Sequence, residues 1–130
     1  MRNPAWHTCP LGFPVAESDL FLRTEELARF ARLLLQGGEW AGRPVIPADY
    51  VRRMPLETVP TADSPGGQFT HGYGLGVWLG GNGTYRMDGL YGQYAVIAPD
   101  LRAAVTVTAH SDHDEDLLTA VYEVLDRLRG

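Results

Sequence analysis

The sequence predicts an α+β fold: a three-stranded antiparallel sheet with a C-terminal helix on one face, preceded by an N-terminal helical segment. Three observations predict it. Apolar residues recur at helical spacing from Thr24 onward and again after Ser111. Between these stretches, from His71 to His110, lie three runs of strand character: Gly72 to Leu79, Thr84 to Ala98 and Arg102 to Ala109. The runs are separated by Gly80-Gly-Asn-Gly83, whose residues tolerate the positive φ of a tight hairpin, and by Pro99-Asp-Leu101, a second turn signal. A chain of 130 residues is the usual size of one domain and buries roughly two-thirds of its unfolded surface.

Taken in order, residues 1–19 hold Pro4, Pro10, Gly12 and Pro14 and are expected to be irregular or extended. Leu20-Phe-Leu22 reads as a small strand. A helix then begins at Thr24, whose hydroxyl is expected at the N-cap. Glu25 and Glu26 lie in its first turn, and Gly37-Gly38 follow its last. Leu27, Phe30, Ala31 and Leu34 form its buried stripe, and Glu25 is placed to pair with Arg29 on the wet side. Pro47 opens a shorter helix through about Met54, stopped by Pro55. Thus residues 1–54 form an irregular and helical part, residues 55–70 a polar loop, and residues 71–130 the sheet and terminal helix. Leu117, Val121, Val124, Leu125 and Leu128 are expected to face the sheet. The other face and one edge of so small a sheet would be left bare, so self-association as a homo-oligomer or pairing with further chain is expected.

Composition narrows the function. The net charge is -5 with basic residues scattered among acidic ones, so the basic stripe of a nucleic-acid binder is missing. No apolar run approaches the roughly 20 residues of a membrane span. The start, Met1-Arg-Asn-Pro-Ala-Trp6, lacks the apolar core of a signal peptide, which makes a cytoplasmic location the default expectation. The single cysteine, Cys9, rules out an internal disulfide. All 11 basic residues are Arg; there is no Lys, and so no lysine amine for catalysis.

Several clusters could carry chemistry. His110-Ser-Asp-His113-Asp-Glu-Asp116 gathers metal-ligand types, with His110 and His113 the candidate ligands. Ser111 or Asp112 as a helix N-cap, with the acids on the positive end of the dipole, accounts for the same residues without metal. Gly72-x-Gly-x-Gly76 precedes a strand rather than a helix, so it is not a phosphate-binding turn. Asn82-Gly-Thr84 is a glycosylation triplet that an Asn-Gly hairpin also explains. His7 and Cys9 lack the second half of a metal site. No cofactor is called for. Met87-Asp-Gly-Leu-Tyr-Gly-Gln93 remains: Gly89 and Gly92 interrupt the middle strand, either as bulges or as a place where another backbone approaches. An edge strand there could hold an extended ligand by main-chain hydrogen bonds or offer an N–H to a developing oxyanion.

One order of motifs is more specific than any of these alone. It runs Thr24-x-x-Leu-Ala-Arg-Phe30, Leu33-Leu-Leu-Gln-Gly-Gly-Glu-Trp40, Pro47-x-x-Tyr50, Gly72-Tyr-Gly-Leu-Gly-Val-Trp78, Gly89-Leu-Tyr-Gly-Gln-Tyr94, Pro99-Asp-Leu101 and a Val-rich strand. From about Cys9 onward this resembles the C-terminal part of the serine beta-lactamase-like family: class C beta-lactamases, D-Ala-D-Ala peptidases and related esterases and amide hydrolases. The resemblance implies a partial beta-lactamase-like fold. It places Met87, Asp88 and Gly89 at the family's third catalytic motif, Lys-Thr-Gly or a variant such as His-x-Gly. Leu90, Tyr91, Gly92 and Gln93 continue that substrate-binding wall.

The departures matter as much. Met87 cannot attract a substrate carboxylate as Lys or His would, which points to the esterase or amidase branch rather than to penicillin recognition. The family's Ser-x-x-Lys is absent: Ser18, Ser64 and Ser111 are the only serines, and no Tyr has Asn two residues later. The resemblance therefore implies a C-terminal fragment that has no catalytic residue of its own. Such a fragment is expected to be inactive alone, and to meet an ester, amide or beta-lactam substrate only with the missing N-terminal part. The alternative is a non-catalytic binding or self-association module using an exposed strand edge.

Overall fold

The computed structural model describes residues 4–16 and 18–130; the expected irregular course of residues 1–3 and 17 lies outside them. The chain opens with β1 (Ala5–Trp6) and β2 (Leu20–Phe21), paired antiparallel. The Trp6 indole N–H lies between the carbonyls of Val15 and Ser18, at 2.8 and 3.0 Å, and ties the intervening loop to β1.

Helix α1 (Thr24–Leu35) begins one residue earlier than its hydroxyl signal suggested. Arg23 is the N-cap, and its backbone N–H donates to Glu26 Oε2 at 3.2 Å. The Thr24 hydroxyl instead meets that of Thr108, at 2.5 Å. Glu25 pairs with Arg23 at 4.0 Å, not with Arg29. The helix ends as expected: Gly37 N donates to Leu34 O and Gly38 N to Leu33 O, with both glycines at positive φ, the 5→2 and 6→1 bonds of a Schellman stop. A two-residue ribbon follows, β3 (Glu39–Trp40) against β4 (Arg43–Pro44), then α2 (Ala48–Arg53) with Pro47 as its N-cap.

The loop before the sheet carries more structure than its composition suggested. It contains a 3-10 turn (Gly67–Phe69), and Val59 bridges Tyr73.

The sheet has four strands, not three: β5 (Trp78–Leu79), β6 (Tyr85–Gly89), β7 (Gln93–Ala98) and β8 (Ala103–Val107), in that order and all antiparallel. Two things differ from the expectation. The first run is a strand only at its end, because Gly74 N and Leu75 N are engaged by Val77 O and Met54 O in a turn. The middle run is two strands, because the interruption at Gly89 and Gly92 is a complete reversal rather than a bulge. The two flanking turns are as expected, with Gly80 N donating to Thr84 O and Arg102 N to Pro99 O.

The sheet face expected to be bare is covered. Leu34 of α1, Val51 of α2 and Met54 pack with Val77, Tyr85 and Ile97 on one side of the sheet. On the other, α3 (Asp114–Arg129) packs Leu118, Val121 and Leu125 against Tyr94, Val96 and Ala98. Strand alternation explains both: consecutive residues of β7 feed opposite layers, so 94, 96 and 98 face α3 while 97 faces α1. The stripe on α3 is Leu118, Val121 and Leu125, with Leu117 partly buried; Val124 and Leu128, expected inside, are exposed. Each fully buried Leu or Ile contributes about 1.5–3 kcal/mol. The outcome is a three-layer arrangement in which β6 and β7 are buried at the centre. Among the described residues no strand lies beyond β8.

Candidate functional site

The segment singled out in the sequence forms the hairpin joining β6 to β7. Gly89 pairs with Gln93, leaving Leu90, Tyr91 and Gly92 as the loop. Tyr91 has φ 65° and Gly92 φ 90°, two consecutive left-handed residues. Glycine at 92 suits that conformation, and a Cβ there would lie 2.8 Å from Leu117 Cδ1. At Gly89 the constraint is contact instead, since a Cβ would come 2.9 Å from Gln93 Cβ.

The loop is fastened to the segment between β8 and α3. Ser111 N donates to Tyr91 O at 3.2 Å, the Gln93 side-chain amide donates to Ala109 O, and the Tyr91 and His110 rings lie 4.5 Å apart at 38°. Leu90, at the tip, is 72% exposed.

Of β6, β5 pairs only with Tyr85 and Arg86. Met87, Asp88 and Gly89 therefore have β7 on one side and, among the described residues, no strand on the other. Their outer edge is open along the stretch nearest the loop. The side chains of these residues part: Met87 packs toward the α1 layer, and Asp88 lies on the opposite face with Arg86.

Arg86 is the residue that sequence reasoning missed. It is fully buried, with Nε donating to Asp88 Oδ2 at 2.7 Å. The legible signal was Arg-x-Asp in a strand, which puts both charges on one face at adjacent positions. Burial pushes the Asp88 carboxyl above the usual carboxylate range; Arg86 opposes the rise and Asp114 adds to it. The buried Tyr94 hydroxyl donates to Asp114 O at 2.9 Å. Burial, with Asp88 and Asp114 nearby, pushes that phenol up to about 12.

The remaining candidates do not assemble. His113 precedes α3 as its N-cap and makes no side-chain capping bond; the capping-type contact is His113 N donating to Ser111 Oγ at 3.0 Å. His110 is turned to Tyr91. Among the described residues no group of three His, Cys, Asp or Glu is placed to hold a metal ion. His7 faces Asp19 at 3.8 Å and Phe21 edge-on, while Cys9 is a free, half-buried thiol. Asn82 accepts a 2.8 Å bond from the Thr84 hydroxyl inside its hairpin. Among the described residues no helix is long and apolar enough to cross a membrane.

No protein-family model matches the sequence, and no curated protein matches it either. Among solved structures, the chain is similar to a protein from Bacillus anthracis described as a 6-aminohexanoate-dimer hydrolase. The TM-score is 0.69 at 20% identity, over 92% of this chain and 32% of that one. It is the fold that is shared. This chain spans about a third of the length of that structure, and the likeness takes in nearly all of this chain.

Proposed function

We propose that this chain is the C-terminal segment of a serine beta-lactamase-like hydrolase, in which Met87 to Gln93 form a wall of the substrate cleft. The observation that carries the reading is the open outer edge of Met87, Asp88 and Gly89, set in a fold shared with part of a hydrolase. An extended ester or amide can lie along such an edge by main-chain hydrogen bonding. The backbone N–H groups of Gly89 to Tyr91 are the candidate donors toward a developing oxyanion. Met87 offers no positive charge, which favours an uncharged ester or amide over a carboxylate-bearing beta-lactam.

The chain supplies no nucleophile and base pair, so it is inactive alone. Two measurements test this. The purified chain, given a chromogenic ester and a chromogenic cephalosporin, should hydrolyse neither; turnover, or an acyl adduct on Ser18, Ser64 or Ser111, refutes inactivity. The coding region immediately upstream should contain an in-frame Ser-x-x-Lys, and its absence refutes the parentage.

A second reading is favoured by the outer edge of β8, which like the β6 edge has no strand neighbour among the described residues. On that reading the chain is a binding or self-association module. A monomer by size-exclusion chromatography that also binds no extended peptide would remove it.

A further inference from the structure

Among the described residues Arg86 is the largest side chain buried without exposed surface. A guanidinium taken wholly out of water loses a large hydration energy and is retained only where its donors are matched. Its partners come from three parts of the chain. Besides Asp88, Nη2 donates to the Gln68 carbonyl at 2.9 Å and Nη1 reaches the Tyr122 hydroxyl of α3 at 3.4 Å. Its guanidinium carbon lies 5.0 Å from the centroid of the Phe69 ring, within cation–π range. Trp78, directly across from Arg86 in β5, meets Phe69 edge-on at 4.8 Å. Gly66, just before the turn, faces Glu115 of α3: a Cβ there would lie 3.3 Å from its Oε1. The Gly67–Phe69 turn is thus seated between β6 and the start of α3, on the face that Asp88 occupies.

Among the described residues the turn has few other ties. Its own ties are Phe69 N to Gly66 O at 3.2 Å and the Thr70 hydroxyl to Gly67 O at 2.9 Å, both local. The long-range hydrogen bond to the turn and one of its two ring contacts come from the same guanidinium.

We infer that Arg86 is a positioning residue that fixes the Gln68–Phe69 turn as a wall beside the open Met87–Gly89 edge and holds the Asp88 carboxylate inward. The turn holds the Phe69 ring against Trp78 and the Arg86 and Asp88 charges neutralise each other, so this edge takes an uncharged, extended segment of a ligand. The ligand clause rests on the cleft reading proposed above. The positioning does not, and its test involves no hydrolysis.

The test is hydrogen exchange of the Phe69 amide, with the Trp78 emission spectrum in a Trp6→Phe, Trp40→Phe background. Arg86→Lys keeps the charge but not the planar fork that reaches Asp88 and Gln68 together. Arg86→Met keeps the volume and removes the charge. Both should raise Phe69 exchange about tenfold or more, the factor expected when charge-assisted bonds holding a locally opening segment are lost. Trp78 emission should shift to the red. Leu34→Ala, in the α1 layer on the opposite face of the sheet, should leave the ratio of Phe69 to Val96 exchange unchanged. If the Arg86 variants do not fold, Asp88→Asn, at the open edge, serves instead and should also speed Phe69 exchange. Wild-type Phe69 exchange and emission in whichever of these variants folds would overturn the inference, as would an equal change in Leu34→Ala.

Discussion

Gly37 and Gly38 lie side by side after α1, both at positive φ, yet alanine should have very different effects at the two. At Gly37, φ is 68° and nothing lies within 4 Å of the position a Cβ would take. The Ala variant there meets only the left-handed penalty, about 1–2 kcal/mol. At Gly38, φ is 89° and the same atom would sit 2.2 Å from the Ile46 carbonyl oxygen. That oxygen is backbone, so relief requires moving the segment that leads into α2, and overpacking of this kind costs about 1–3 kcal/mol more. Gly38→Ala should therefore lose about 2–5 kcal/mol, against a whole-domain stability of about 5–15 kcal/mol. Urea unfolding followed by far-ultraviolet circular dichroism, with the two variants in parallel, measures the difference. Equal midpoints would refute the reasoning, because they would mean that Gly38 is required for its dihedral alone and not for close approach.

Other outcomes follow from the same geometry. Tyr94 stays neutral in the folded chain to about pH 12, whereas an unfolded tyrosine ionises near 10. Its contribution is whole below that lower value and is lost as pH rises between the two, so Tyr94→Phe should flatten the alkaline fall in melting temperature over that window. An equally steep fall in the variant would mean that other groups govern it. Leu125→Ala empties a fully buried site on α3 and should cost about 2–5 kcal/mol by urea unfolding, whereas Leu128→Ala, exposed one turn on, should stay within about 0.5 kcal/mol. Titration of zinc into the chain should release no heat beyond dilution, since His110 and His113 are not gathered with a third ligand; a saturable isotherm would refute this.

Local signals were the most legible. The Gly37-Gly38 stop, the Pro47 start and the Gly80 to Gly83 hairpin are set by dihedral preferences that a few residues carry alone, and they fall where the sequence places them. What the sequence misjudged was decided by packing at a distance. Thr84 to Ala98 reads as one interrupted strand because Gly89 and Gly92 are equally compatible with a bulge and a reversal; the contact of the 90–92 loop with Ala109 to Ser111 belongs to the reversal. Leu118 and Val124 are both compatible with an α3 stripe, and only the position of Tyr94 and Val96 beneath the helix separates them. The covering of the second sheet face needed α1 to fold back across β7 and β8, which periodicity within α1 does not encode. Of the candidate site, the Met87 to Gln93 segment drew notice through its glycines, which the structure places at a strand reversal. Arg86 did not, because a charged residue in a strand reads as solvent-facing until its partners are known.

The outer margin of β8 has a consequence for the molecule in solution. Ala103-Ala-Val-Thr-Val107 contains no charge and no proline, the features by which proteins deter unwanted strand addition, and its main-chain groups on that margin have no strand to bond among the described residues. A strand that docks there, from a native continuation or a neighbouring copy, extends the sheet by main-chain hydrogen bonds. Concentration should therefore decide between an ordered assembly and precipitate, and a short extended peptide added in excess should keep the protein clear.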